Sequence, residues 1–180
     1  GALLGACVAA LAPATASAQP PPALTLERLH ADPPLSGALP TRLAWHPDGR
    51  RLTFLRGDGP TARLCALDVA SGEQTVLIEA SRLRLPGGQA QPRLLADATW
   101  LPDGRRLLAP ADGDVFVVDV ASGTVRALVT AAGAEEFATA SPDGSRVAFV
   151  RDNDLYVVEL STGRETRLTR NGSDTLLNGR

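Results

Sequence analysis

The 180-residue sequence contains no methionine and no lysine, and it has two cysteines, two histidines and one tyrosine. Each shortage closes a class of function. His30 and His46 form no HExxH, the cysteines form no CxxC, and no recognisable zinc motif remains. No G-x-G-x-x-G is present, so the dinucleotide fingerprint is missing. No G-x-S-x-G surrounds a serine, so there is no nucleophile elbow. All 18 basic residues are arginine, never more than two in a row, which gives no support to a nucleic-acid surface. The longest apolar run, Ala2–Ala12, has 11 residues, too short to span a bilayer as a helix.

What is present is ordinary globular composition: 44% hydrophobic residues and a net charge of −2. The apolar run is followed by Ala16-Ser17-Ala18, a small-x-small cleavage site. Residues 1–18 therefore read as the remnant of a signal peptide, with a mature chain from Gln19 and export to a bacterial periplasm. Leu4-Gly5-Ala6-Cys7 offers the rival reading of a lipoprotein acylated at Cys7. Val8–Ala14 stays apolar where a lipoprotein turns polar, which favours simple cleavage. A first residue of glycine and the lack of methionine lead to the expectation of a fragment, open at both ends. Cys65 is then the one mature cysteine, without an internal disulfide partner, and reads as an inert buried thiol.

The dominant pattern is a repeat. "PDGRRLTFL", "PDGRRLLAP" and "PDGSRVAFV" each lead into a second strand and a small-residue turn. Pro47, Pro102 and Pro142 are spaced by 55 and 40 residues, and the turn glycines Gly72, Gly123 and Gly163 by 51 and 40. A period near 40 with several short strands per unit is the mark of a β-propeller blade. The fold expected is all-β: about three four-stranded antiparallel blades near 41–80, 95–130 and 136–170. A linker and short helix over 19–40 precede them, and 41–180 form an incomplete propeller. Leu52, Phe54, Val147 and Phe149 fall at period two and are expected to share a face that a neighbouring blade buries. The Pro- and Gly-rich stretch Glu79–Leu95 lengthens the first spacing and reads as a surface loop between blades.

The candidates for chemistry are weak. Asp112-Gly113-Asp114 and Asp152-Asn153-Asp154 resemble metal loops, but no glutamate stands at the twelfth position, and both sit where a hairpin turn is needed. Asp48, Asp103 and Asp143 belong to equivalent Pro-Asp-Gly turns and read as turn residues. His46 leads into such a turn and reads as a turn or surface residue. Glu135-Glu136 reads as a solvated strand start. No catalytic, cofactor-binding or metal-binding residue is assigned.

Two flanking phrases carry a family resemblance. "LTLERLHADPPLSG" (Leu24–Gly37) and "RDNDLYVVELSTGRETRLTRNGSDTLLNGR" (Arg151–Arg180) are similar to bacterial dipeptidyl peptidase IV-type serine peptidases. The resemblance covers residues 24–180. It implies an exported exopeptidase that removes Xaa-Pro or Xaa-Ala dipeptides, with an eight-bladed propeller and a downstream α/β-hydrolase domain. In that family an Asn-Gly like Asn178-Gly179 leads into an Asp-Trp-Val-Tyr-Glu-Glu segment whose glutamates hold the substrate's amino terminus. The serine, aspartate and histidine follow far downstream, so no catalytic residue is carried over. The family's propeller arginine has no place here, because the second blade's loop is cut down to Asp112-Gly113-Asp114. The implied partners are a peptide substrate, the chain's own hydrolase domain and, in some assemblies, a second copy; nucleic acid, a membrane span and cofactors are not implied. The alternative from another class is a non-enzymatic periplasmic propeller that binds proteins, because Tol-system propellers also use Pro-Asp-Gly blades. An oligopeptidase or acylaminoacyl peptidase of the same clan is a third reading, against which the Leu24–Gly37 phrase argues.

The export reading has a direct check. With a start methionine and a basic leader restored, the secreted product is expected to begin at Gln19 by mass spectrometry; an acylated Cys7 would reverse that.

Overall fold

The computed structural model describes Leu26 and residues 39–91, 93–129 and 132–179. Residues 1–18, on which the signal-peptide expectation and Cys7 fall, and Gln19 and His30 lie outside the described residues. Of the 19–40 linker, Leu26 is helical, and Leu39 and Pro40 are irregular. The chain divides into two units, 1–37 and 38–180, and the second holds every described strand.

Twelve strands form three antiparallel four-stranded sheets, each in sequence order. Blade one contains β1 (Thr41–Trp45), β2 (Arg51–Arg56), β3 (Arg63–Asp68) and β4 (Gln74–Glu79). Blade two contains β5 (Thr99–Trp100), β6 (Arg106–Ala111), β7 (Asp114–Asp119) and β8 (Val125–Ala127). Blade three contains β9 (Glu136–Ala140), β10 (Arg146–Arg151), β11 (Asp154–Glu159) and β12 (Glu165–Arg167). Beyond residue 38 the described helical residues are two 3-10 turns, Gly59–Thr61 and Ala80–Arg82. This is the all-β, partial-propeller architecture that the repeat predicts.

The central strands do not simply alternate. β6 and β7 are apolar over consecutive residues because blade two is covered on both faces. The paired residues Leu107/Val118 and Ala109/Phe116 face blade one, where they meet Leu55, Leu64 and Ile78. Leu108/Val117 face blade three, where they meet Val147, Phe149, Tyr156 and Val158. Among the described residues no core cluster joins blade three to blade one, so the array is an open arc.

The Pro-Asp-Gly phrase earns its repetition twice. Locally it closes the first hairpin. The glycine N–H donates to the carbonyl three residues earlier: Gly49 to His46 at 2.9 Å, Gly104 to Leu101 at 3.0 Å and Gly144 to Ser141 at 2.8 Å. The glycines carry φ of 69°, 64° and 68°, the left-handed region that glycine enters without steric cost. The turns also stack between blades. A Cβ on Gly104 would stand 2.9 Å from His46 Cε1 and 3.7 Å from Pro47, and one on Gly144 would stand 3.2 Å from Pro102. Gly104 and Gly144 are thus the surfaces on which the preceding blade's turn rests.

His46 belongs to this joint and is not a surface residue. It is buried, edge-on to Trp100 at 4.6 Å. Its Nε2 lies 3.0 Å from the Gly104 carbonyl oxygen, and its Nδ1 accepts the Asp48 N–H at 3.2 Å. Its Nδ1 also lies 3.0 Å from Asp48 Oδ2. Trp100 Nε1–H donates to Thr53 Oγ1 at 3.0 Å, so two polar contacts pin blade two to blade one.

The Glu79–Leu95 insertion departs from the surface loop expected. Leu83, Leu94 and Leu95 are buried in the core between blades one and two. Its outer part bridges Arg84 to Thr124 beside β8, and Gln91 donates to Asp112. The tip, residues 86–90, is exposed, as are Ser81, Arg82, Arg84 and Arg93. Four leucines, Leu83, Leu85, Leu94 and Leu95, among prolines and glycines are the signal that could have shown a wedge.

The stacked turns predict an order of sensitivity. Placing alanine at any of the three glycines costs about 1 kcal/mol for left-handed backbone. Gly49 has no atom within 4 Å of the added Cβ, whereas Gly104 and Gly144 do. Gly104→Ala and Gly144→Ala are therefore expected to lower the urea midpoint more than Gly49→Ala; equal losses would show that the turns do not bear on one another.

Candidate functional site

The two ends of the blades differ in how they treat charge. At the end with the Pro-Asp-Gly turns, each carboxylate is tied to its own turn. Asp48 Oδ1 accepts Arg50 N–H at 2.9 Å, Asp103 Oδ1 accepts Arg105 N–H at 2.8 Å and Asp143 Oδ1 accepts Ser145 N–H at 3.0 Å. The backbone N–H of Arg50, with Arg51 and His46, holds the Asp48 carboxyl far below its usual range. The Ser141 hydroxyl, the Ser145 N–H and the Ser145 hydroxyl bring Asp143 down to about 2. For Asp103 burial works the other way, and the Arg105 N–H and Arg106 side chain outweigh it. Groups held this firmly as anions are structural ties and poor proton acceptors at neutral pH. At the second turns, Asp68, Asp119 and Glu159 tie down Ser71, Ser122 and Thr162 in the same manner.

The opposite end carries the hairpins between second and third strands. Asp112 (φ 52°) with Gly113 (φ 88°), and Asp152 (φ 51°) with Asn153 (φ 62°), occupy the paired left-handed positions of a type I′ turn. The turn reading holds for those four residues. Asp154 is different: it is fully buried at the start of β11.

Around this end of blade three lies the densest set of buried charges described. Arg151 is buried, with its guanidinium 4.3 Å from the Tyr156 ring centre and 5.6 Å from that of Phe149. It holds Glu165 through both terminal nitrogens, one of them at 3.1 Å. Glu135 lies on its other side, 3.5 Å from the Arg151 guanidinium. Glu135 is buried rather than a solvated strand start, and neither carboxylate oxygen has a hydrogen-bond donor. Its N–H donates to Gly113 O at 2.7 Å, which ties blade three to the blade-two hairpin. Burial pushes the Glu135 carboxyl above its ordinary value, the Asp114 charge adds to that, and Arg151 opposes it. A glutamate doublet gives no sign that the first is buried, because its partner Arg151 lies sixteen residues on, with Gly133 packed on the Arg151 stem.

The arrangement can position and hold charged groups, but it assembles no nucleophile beside a base. Cys65 is buried and free, with its Sγ–H directed to its own strand's Arg63 carbonyl. No group of three His, Cys, Asp or Glu side chains suited to a metal occurs among the described residues. A cleft of about 470 Å³ lies on the open face of blade three, between Thr139, Ala148, Val157, Thr166 and Leu168. Another of about 500 Å³ separates Arg93 and Asp97 from the Asp112-Gly113 hairpin. No described helix is long and apolar enough to cross a membrane.

The orphaned Glu135 carboxylate predicts a pH signature. A carboxyl whose folded pKa lies above the unfolded value stabilises the fold below the unfolded pKa and loses that contribution as pH rises through the folded pKa. The loss begins near the ordinary value of 4.5 and continues upward. Relative to Glu135→Gln, the parent is therefore expected to lose stability as pH is raised from 4 to 7 in denaturant titrations. A stability difference independent of pH would overturn this.

The sequence model of the family described as the dipeptidyl peptidase IV (DPP IV) N-terminal region matches residues 109–180, from within β6 to the C-terminal segment. The crystal structure of Porphyromonas gingivalis dipeptidyl peptidase 4 superposes with a TM-score of 0.61 at 24% identity, over 76% of this chain and 20% of that one. TolB from Acinetobacter baumannii gives 0.53 at 20% identity, over 76% of this chain and 33% of that one. The chain thus spans about a fifth of the first protein and a third of the second, and both likenesses report the blade fold. Residues 109–180 thus resemble the DPP IV N-terminal region, and the whole of the described array shares the propeller-blade fold of these structures.

Proposed function

We propose that this chain is the propeller part of an exported serine exopeptidase that removes Xaa-Pro or Xaa-Ala dipeptides from peptide N-termini. The observation that carries the reading is the family match over residues 109–180, which includes the whole charged end of blade three. In this reading the blades are scaffold. They gate and orient the peptide, and an α/β-hydrolase domain of the whole protein supplies the serine, aspartate and histidine. The peptide's amino terminus is received by carboxylates that follow Asn178-Gly179. The protein works in the periplasm, and a homodimer is compatible with it.

The second reading is a non-enzymatic periplasmic propeller that binds proteins, favoured by the fold shared with the Acinetobacter baumannii TolB. Translating the gene beyond Arg180 separates the two. An Asp-Trp-Val-Tyr-Glu-Glu-like segment followed by a Gly-x-Ser-x-Gly supports the peptidase; further Pro-Asp-Gly blades and a stop support the binding protein. The purified 180-residue chain is expected to leave Gly-Pro and Ala-Pro chromogenic substrates uncleaved. Turnover above a buffer blank, surviving removal of contaminating peptidases, would mean that a catalytic centre exists within these residues.

A further inference from the structure

The position that opens the third strand is solvent-exposed in two blades and buried in one. Arg63 in β3 and Asp114 in β7 are exposed, whereas Asp154 in β11 is fully buried. Blade geometry therefore does not demand this burial, and the cause is the segment that follows β12. Asp154 Oδ1 accepts the Thr169 hydroxyl at 2.7 Å, the Gly172 N–H at 3.0 Å and the Asn178 side-chain N–H at 3.1 Å. Its Oδ2 is paired with Arg167. One carboxylate thus gathers four partners spread over residues 167–178.

The same contacts reach the sheet behind it. Thr169 Oγ1 also accepts the Leu155 N–H at 2.9 Å, and Asn178 N–H donates to Asn153 O at 3.0 Å. Gly172 lies so near the Asn153 carbonyl that an added Cβ would meet its oxygen at 2.5 Å. Gly179 lies against Val150 and Leu155, and Val150 is buried. The Arg167 side chain, followed by the Thr169 and Gly172 donors, keeps the Asp154 carboxyl ionised, at about 2, against the effect of burial. A charged acceptor makes stronger hydrogen bonds than a neutral one.

From this geometry we infer that Asp154 is a positioning residue: it seats residues 169–179 on blade three and so fixes where Gly179 leaves the sheet. The inference rests in part on the peptidase reading above, because there the group that receives the peptide's amino terminus follows Gly179. In that reading the binding group is placed by a buried carboxylate on the neighbouring strand β11 rather than by β12, the strand it follows.

Hydrogen exchange by mass spectrometry on the 180-residue chain tests the seating, with Asp154→Asn and, as the milder variant, Asn178→Ala. Loss of one hydrogen bond to a carboxylate is worth about tenfold in a local opening equilibrium. Amides of residues 172–178 are expected to exchange about tenfold faster in Asn178→Ala, while those of β10 and β11 stay protected. Unchanged exchange at 172–178 in Asn178→Ala would overturn the inference, even where Asp154→Asn loosens the whole blade. A second measurement uses the longer protein. Asn178→Ala is expected to raise KM for an Ala-Pro substrate several-fold with kcat held. An unchanged KM with a loosened segment would overturn the placement. A longer parent that hydrolyses no such substrate would remove the peptidase reading and leave the exchange result to decide the seating alone.

Discussion

A sheet that is apolar on both faces exists only between two neighbours, and everything else in this chain answers to that. Blade two shows it most plainly: its two central strands bury Leu107 and Val118 toward one blade and Leu108 and Val117 toward the other. At roughly 25 cal/mol per Å² of apolar surface, such faces are what hold an array of blades together. The blades therefore need a device that sets their spacing, and the Pro-Asp-Gly turns supply it. Gly104 receives His46 and Pro47, and Gly144 receives Pro102. The segments after the fourth strands fill the wedge that remains, with Leu83, Leu94 and Leu95 in one and Leu128 and Val129 in the next.

The repeat and its turns were legible in the sequence because their physics is local. Proline, aspartate and glycine fix a turn through their own φ preferences and through hydrogen bonds that span two or three residues. Asp48, Asp103 and Asp143 do in the structure what their spacing says. The strands followed from that punctuation, although strict alternation failed in β6, where cover on both faces replaces it.

The residues misread are those whose partners lie far along the chain. His46 touches Trp100 and Gly104, more than fifty residues away. Leu83 and Leu94 looked like loop residues because their neighbours are Pro, Gly and Gln, yet they close a core between two sheets. Glu135 sits beside a second glutamate and Asp154 closes an Asp-Asn-Asp turn, patterns that ordinarily mean solvent. Glu135 pairs with Arg151 and Asp154 with Arg167, and neither pairing leaves a trace in local spacing.

This separation of local from non-local also separates the two ends of the blade. At the Pro-Asp-Gly end every turn satisfies its carboxylate from within itself, and the blades meet there through stacked turns and the His46–Gly104 contact. At the opposite end Glu135 is tied to Gly113, Arg151 to Glu165, and Asp154 to Arg167, Thr169, Gly172 and Asn178. A change there propagates between blades and into the segment after β12. A surface whose geometry must be held for a ligand needs polar networks of that second kind, which reach across several segments. The end bearing Arg151 and Asp154 is thus the one where this scaffold can hold a binding group in place.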